Sequence, residues 1–127
     1  MIRVLVVGCG DVAMRAARLL AGRARLVGLT RSADDVPKLR ACGFVPIVGD
    51  LDDLRALRRI RTAPYAVMHF APPPPEGRSD PRTGHLVAAL SAAGRIPQRF
   101  VYVSTSGVYG DCAGARVAET RPRRAQS

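Results

Sequence analysis

Tryptophan is absent from this chain, and phenylalanine and tyrosine occur three times each, so aromatic residues make up only 5% of the sequence. Surfaces that bind nucleic acid interleave aromatics with cations to stack bases, and that material is scarce here. Cysteine is scarce too. Cys9, Cys42 and Cys112 are odd in number, scattered, and show no C-x-x-C or Cys/His metal spacing. That pattern excludes a disulfide framework, offers no metal-ligand set, and suits a reducing compartment with buried or idle thiols. Cys9 is expected to be a small filler. Apolar runs stop at strand length, short of the roughly 20 residues a bilayer span needs, and no charged, apolar and cleavage regions precede Met1-Ile2-Arg3. A soluble, cytoplasmic protein with no membrane partner is the expectation.

Acidic residues are also in short supply, 10 against 20 basic ones, for a net charge of +10. All but one of the cations are arginine, Lys38 being the exception. A basic surface attracts phosphate backbones, but these arginines scatter over expected helix faces (Arg15, Arg18, Arg55, Arg58, Arg59) instead of forming a block. No nucleic-acid partner is expected. With 127 residues, 47% of them hydrophobic, the chain is long enough for a single domain that buries roughly 65% of its unfolded surface.

What the sequence does have is a strand that breaks into a glycine turn and resumes at helical spacing. Ile2-Arg3-Val4-Leu5-Val6-Val7 is followed by Gly8-Cys9-Gly10-Asp11-Val12-Ala13, and then Ala16 or Ala17 and Leu20 continue the i, i+3/i+4, i+7 series. G-x-G-x-x-A in that setting predicts the first βαβ turn of a dinucleotide-binding fold. Gly8 allows the sharp turn, Gly10 keeps no Cβ between a pyrophosphate and the helix amides, and Ala13 lets helix and strand pack closely.

Further strands are expected at Arg25–Thr30, Phe44–Val48, Tyr65–Phe70 and Arg99–Ser104, alternating with helices. Pro46 places the third strand at a sheet edge, because proline cannot donate to a ladder. The fold class is therefore α/β, a Rossmann-type doubly wound parallel sheet with five strands in the order 3-2-1-4-5. Gly22, Gly43 and Gly94 are expected helix stops, and Ser32, Asp34 or Asp35 an expected cap. His69 is expected to be a satisfied core residue. Residues 1–110 are assigned to the folded domain, and residues 111–127 to an irregular basic tail. Where an NAD-selective fold carries an acid after its second strand, this chain reads Thr30-Arg31-Ser32, which predicts NADP as cofactor over NAD.

With five strands placed, the sequence resembles the extended short-chain dehydrogenase/reductases, the NAD-dependent epimerase/dehydratase family. The resemblance is carried by Gly8–Ala13, Gly49-Asp50-Leu51, Val67-Met68-His69-Phe70-Ala71 and above all Val103-Ser104-Thr105-Ser106-Gly107-Val108-Tyr109-Gly110-Asp111. Its turn is shorter than the family's usual G-x-x-G-x-x-G, which indicates an atypical subgroup. The resemblance implies that Gly8, Gly10 and the amides of Asp11 and Val12 hold the pyrophosphate. It places Asp50 and Leu51 beside the adenine, Ala71 beside the ribose or nicotinamide, and Ser104 under the nicotinamide. Thr105 falls at the catalytic hydroxyl position. For Asp50, a helix cap is an equal and compatible reading.

The family's acid, a tyrosine with a lysine four places later, has no counterpart: Tyr65, Tyr102 and Tyr109 are followed at that spacing by His69, Ser106 and Ala113. Such a lysine lowers the phenol's pKa from about 10. The expectation is the cofactor-binding domain of an oxidoreductase or epimerase, truncated, inactive alone, acting on an unidentified small molecule, and prone to self-association through an uncovered fifth strand. A non-catalytic NADP-binding module that reports redox state to a partner protein is the alternative.

Overall fold

Period-2 alternation along the first strand sends its side chains into two apolar cores, one on each face of the sheet. The computed structural model describes residues 1–58, 60, 63–71 and 81–103. Within them, β1 (Ile2–Val7), β2 (Ala24–Thr30), β3 (Phe44–Val48), β4 (Ala66–His69) and β5 (Arg99–Tyr102) form one parallel sheet in the order β3-β2-β1-β4-β5. This is the predicted order. Helices α1 (Asp11–Leu20), α2 (Val36–Ala41), α3 (Leu54–Leu57) and α4 (Pro81–Ala92) occupy the connections.

On β1, Leu5 and Val7 point to one face and Val4 and Val6 to the other, as successive strand residues must. The first pair joins Val27, Leu29, Leu57, Val67, Leu86 and Leu90 in the core beneath α3 and α4. The second pair packs with Leu26, Phe44, Ala13, Ala17 and Leu39 beneath α1 and α2. Burial on both faces is why β1 and β2 read as continuous apolar runs. Pro46 sits on edge strand β3, as expected. Gly22, Gly43 and Gly94 follow helices with positive φ, the left-handed conformation that ends a helix most cheaply at glycine.

Register brings the carboxyl ends of the strands together. Val7 lies beside Leu29 on one side and His69 on the other, and Thr30 beside Val48. The strand order reverses between β1 and β4, and in open α/β sheets such a switch point leaves a crevice at the carboxyl ends. His69 is fully buried, its Nε2 3.0 Å from Thr83 Oγ1 and its ring edge-on to Tyr102. That agrees with its reading as a core residue.

Candidate functional site

A cavity of about 480 Å³ opens above the switch point. Its floor is the turn between β1 and α1, where two glycines serve different ends. Gly8 has φ +85°, and a Cβ there would lie 2.4 Å from the backbone nitrogen of Ala71, so a side chain would force β1 and β4 apart. Gly10 precedes α1 in extended conformation, and a Cβ there would meet nothing within 4 Å. No side chain caps α1. The helix therefore presents its first-turn amides and the positive end of its dipole with only a glycine before them. Asp11 is turned aside into an exposed pair with Arg15, 3.1 Å apart.

Cys9 lies under this turn with its Sγ 3.5 Å from the Leu29 carbonyl and 3.7 Å from that of Val6. Burial, and secondarily the charge of Asp35, pushes the thiol up to about 11. A protonated thiol is a poor nucleophile, which fits the expected filler. Gly28 makes the room, since a Cβ there would come within 3.1 Å of that sulfur.

The β2 end of the cavity is built by local hydrogen bonds. The Ser32 hydroxyl accepts from the Asp34 amide and so caps the 3-10 turn Ala33–Asp35, while Asp35 stands at the N-cap position of α2 without a side-chain capping bond. Thr30 Oγ1 donates to Asp35 Oδ2 at 3.2 Å, which holds that carboxylate at the cavity wall. Arg31 is exposed and lines the same wall. After β3, Asp50 Oδ1 accepts from the Asp52 amide at 2.8 Å, while Asp53 caps α3 through the amides of Arg55 and Ala56. Capping thus falls to Asp53, and Asp50 shapes the turn that carries Leu51 into the cavity.

Every expected cofactor residue within the described set lines this one cavity: Gly8, Gly10, Asp11 and Val12 on the turn, Arg31 and Ser32 after β2, Asp50 and Leu51 after β3, and Ala71 after β4. Ser104, Thr105 and Tyr109 lie outside the described residues, as do Pro72–Pro75, Cys112 and the 111–127 tail. Asp35, a capping candidate whose carboxylate could also turn back toward the ribose, lines the wall as well, and Arg82 is a wall residue that bears no local signal in the sequence because it meets the cavity through α4. Among the described residues, no group of three His, Cys, Asp or Glu side chains could hold a metal ion, and no helix is long and apolar enough to cross a membrane.

No family model matches the chain, and no curated protein matches it by sequence. Solved structures do. UDP-glucose 4-epimerase of Thermus thermophilus, in complex with NAD, superposes with a TM-score of 0.73 at 26% identity, over 98% of this chain and 45% of that one. A functionally unknown conserved protein of Silicibacter pomeroyi gives 0.71 at 28% identity, over 100% and 43%. A protein of Methylobacillus flagellatus assigned to the NAD-dependent epimerase/dehydratases gives 0.77 at 24% identity, over 99% and 45%. Two of these neighbours are thus an NAD-bound epimerase and a protein assigned to the NAD-dependent epimerase/dehydratases, and the chain spans less than half of each neighbour's length.

Proposed function

We propose that this chain is the cofactor-binding half of an NAD(P)-dependent oxidoreductase or epimerase of the extended short-chain dehydrogenase/reductase type, and that it prefers NADP. The observation that carries this reading is the floor of the cavity: an uncapped α1 N-terminus, preceded by a glycine whose missing Cβ leaves open space, at the switch point of the sheet. A pyrophosphate fits that arrangement, since its charge meets the helix dipole and its oxygens can accept from the first-turn amides. The NAD bound to the Thermus thermophilus neighbour supports a nicotinamide dinucleotide here.

In this reading the amides of Asp11 and Val12 bind the pyrophosphate, Asp50 and Leu51 lie beside the adenine, and Ala71 lies beside the ribose or nicotinamide. The bound cofactor supplies hydride transfer at C4 of the nicotinamide. Thr105, by its place in the resemblance, orients a substrate hydroxyl or carbonyl, and Ser104 lies beneath the ring. Residues 1–110 form the cofactor-binding unit and 111–127 a basic tail. No tyrosine in the sequence has a lysine four places on, so the chain by itself binds cofactor without turnover. That same absence favours the second reading, an NADP-binding module that acts through a partner protein.

The NADP preference rests on Arg31. A guanidinium makes charge-assisted bonds to a 2′-phosphate, each worth about 1.5–3 kcal/mol, so one good contact favours NADP roughly tenfold to a hundredfold. Titrating NADPH and NADH by fluorescence tests both levels of the proposal. NADPH should bind more tightly, and Arg31→Ala should lose NADPH affinity while keeping NADH affinity. Equal affinities in the wild type, or a variant that weakens both alike, overturn the preference; binding of neither overturns the cofactor reading.

A further inference from the structure

The turn after β3 carries Asp50 and Leu51 to the cavity, yet the elements on either side of it give it little support. Among the described residues β3 is an edge strand, bonded to the sheet through β2 alone, and α3 is a single helical turn from Leu54 to Leu57. One turn of helix is not stable by itself, because nucleation fixes several residues for each bond gained. Inside the turn, the Asp50 carbonyl accepts from the Asp53 amide at 2.9 Å and Asp50 Oδ1 from the Asp52 amide at 2.8 Å. These local bonds use neither the Leu51 carbonyl nor the Asp52 carboxylate.

Helix α4 takes up both. His85 Nδ1 lies 2.6 Å from the Leu51 carbonyl, 34 positions away in sequence, and since a carbonyl only accepts, this nitrogen carries the proton. Arg82 Nε and Nη2 reach the two Asp52 oxygens at 2.9 and 3.2 Å. Residues three apart share one face of a helix, so Arg82 and His85 grip the turn side by side. Leu86, next to them, is fully buried in the same apolar cluster as Leu51 and Leu57. The turn is therefore seated on a helix of 12 residues that follows β4, across β1 from its own strand.

We infer that His85 is a positioning residue for the adenine wall of the cavity, acting through the Leu51 carbonyl. Leu51 lines the cavity and His85 does not, so the imidazole stands behind the wall and fixes the peptide that forms it. The inference rests on the cavity being the dinucleotide site proposed above, and it deepens that reading by naming what holds its adenine end in place. A wall already fixed loses less freedom when a ligand arrives. The Arg82–Asp52 pair still holds the turn when the His85 bond is lost, so the expected effect is that of one hydrogen bond, roughly a two- to tenfold loss of affinity.

The experiment titrates NADH and ADP, which share the adenosine and the pyrophosphate, against the wild type, His85→Asn and His85→Leu, with thermal melting of each. Asn puts an amide donor where Nδ1 stands, whereas Leu keeps the bulk, has no donor and is the better helix former. Binding and stability should therefore move in opposite directions. His85→Leu should weaken both ligands by the same roughly two- to tenfold factor while melting no lower than His85→Asn, which should bind both nearly as the wild type does. A Leu variant that binds normally, or an Asn variant that loses as much as Leu, makes His85 a packing residue and overturns the inference. A loss for NADH that ADP does not share puts the effect at the nicotinamide end and overturns it too. Nitrogen-15 NMR of the wild type needs no variant: the chain has two histidines, and Nδ1 of His85 should carry a proton. An unprotonated Nδ1 overturns the bond itself. A wild type with that proton in place that binds neither NADH nor ADP overturns the cavity reading on which the inference rests.

Discussion

At the scale of single residues, Gly8 and Gly10 differ in what a Cβ would meet, and under the proposed reading that difference separates folding from binding. Replacing Gly8 imposes a positive φ on a residue with a Cβ and drives that carbon to within 2.4 Å of the Ala71 nitrogen. The two penalties together come to about 2–5 kcal/mol. Gly10 has an ordinary extended backbone and open space at its Cβ position. Gly8→Ala should therefore lower the melting temperature by about 10 °C or more, while Gly10→Ala should melt like the wild type and bind NADPH at least roughly tenfold more weakly. Calorimetry paired with titration reads both. If Gly10→Ala bound normally, the pyrophosphate would not lie over that residue. The different geometries of these glycines were legible in the sequence, because a turn following an apolar strand fixes which glycine bends and which faces the helix end. The pairing of Arg82 with Asp52 was not, since it joins residues 30 apart and, in a chain this rich in arginine, nothing local marks one of them out.

At the scale of elements, the strands were legible because burial on both faces of β1 and β2 gives apolar runs that no exposed helix would show. Their ends were not. The sequence predicts a fourth strand from Tyr65 to Phe70, but β4 runs only from Ala66 to His69, matching Val4–Val7 of β1. Pairing stops where the glycine turn takes β1 away, and the fourth strand's own sequence does not contain that limit. Helix α4 illustrates how far a face can be read. Leu86 and Leu90 recur at i and i+4 and are buried against Leu5, Val7 and Val67, whereas Val87 is half-exposed. Leu86→Ala should cost about 2–5 kcal/mol, since it removes a fully enclosed side chain and leaves a cavity. Val87→Ala should stay within about 0.5 kcal/mol of the wild type. Denaturant midpoints at constant slope measure both, and similar losses at the two positions would mean that α4 is rotated about its axis from the packing described here.

At the scale of the whole molecule, the two edges of the sheet are defended unequally. Edge strand β3 carries Pro46, which removes a ladder donor and discourages a further strand from pairing. Edge strand β5 has neither proline nor lysine. Its Phe100, Val101 and Tyr102, with Val103 beyond it, are each between 38% and 47% exposed, so among the described residues a sheet edge with no further strand and apolar side chains coincide on one flank. A flank of that kind favours pairing with a second copy. The net charge of +10 acts the other way, since like-charged molecules repel at long range. Salt decides between them. The screening length shrinks from about 30 Å at 0.01 M to about 10 Å at 0.1 M and about 3 Å at 1 M, while apolar burial is left nearly untouched. Self-association should therefore strengthen as salt is added, and the mass from light scattering at fixed protein concentration should rise with ionic strength. Val101→Lys puts a charge into the flank and should keep the protein monomeric at every salt concentration, whereas Val45→Lys on β3 should change little. Association that weakens with salt would make ion pairs the cause, and a wild-type monomer throughout would mean that the β5 flank does not pair.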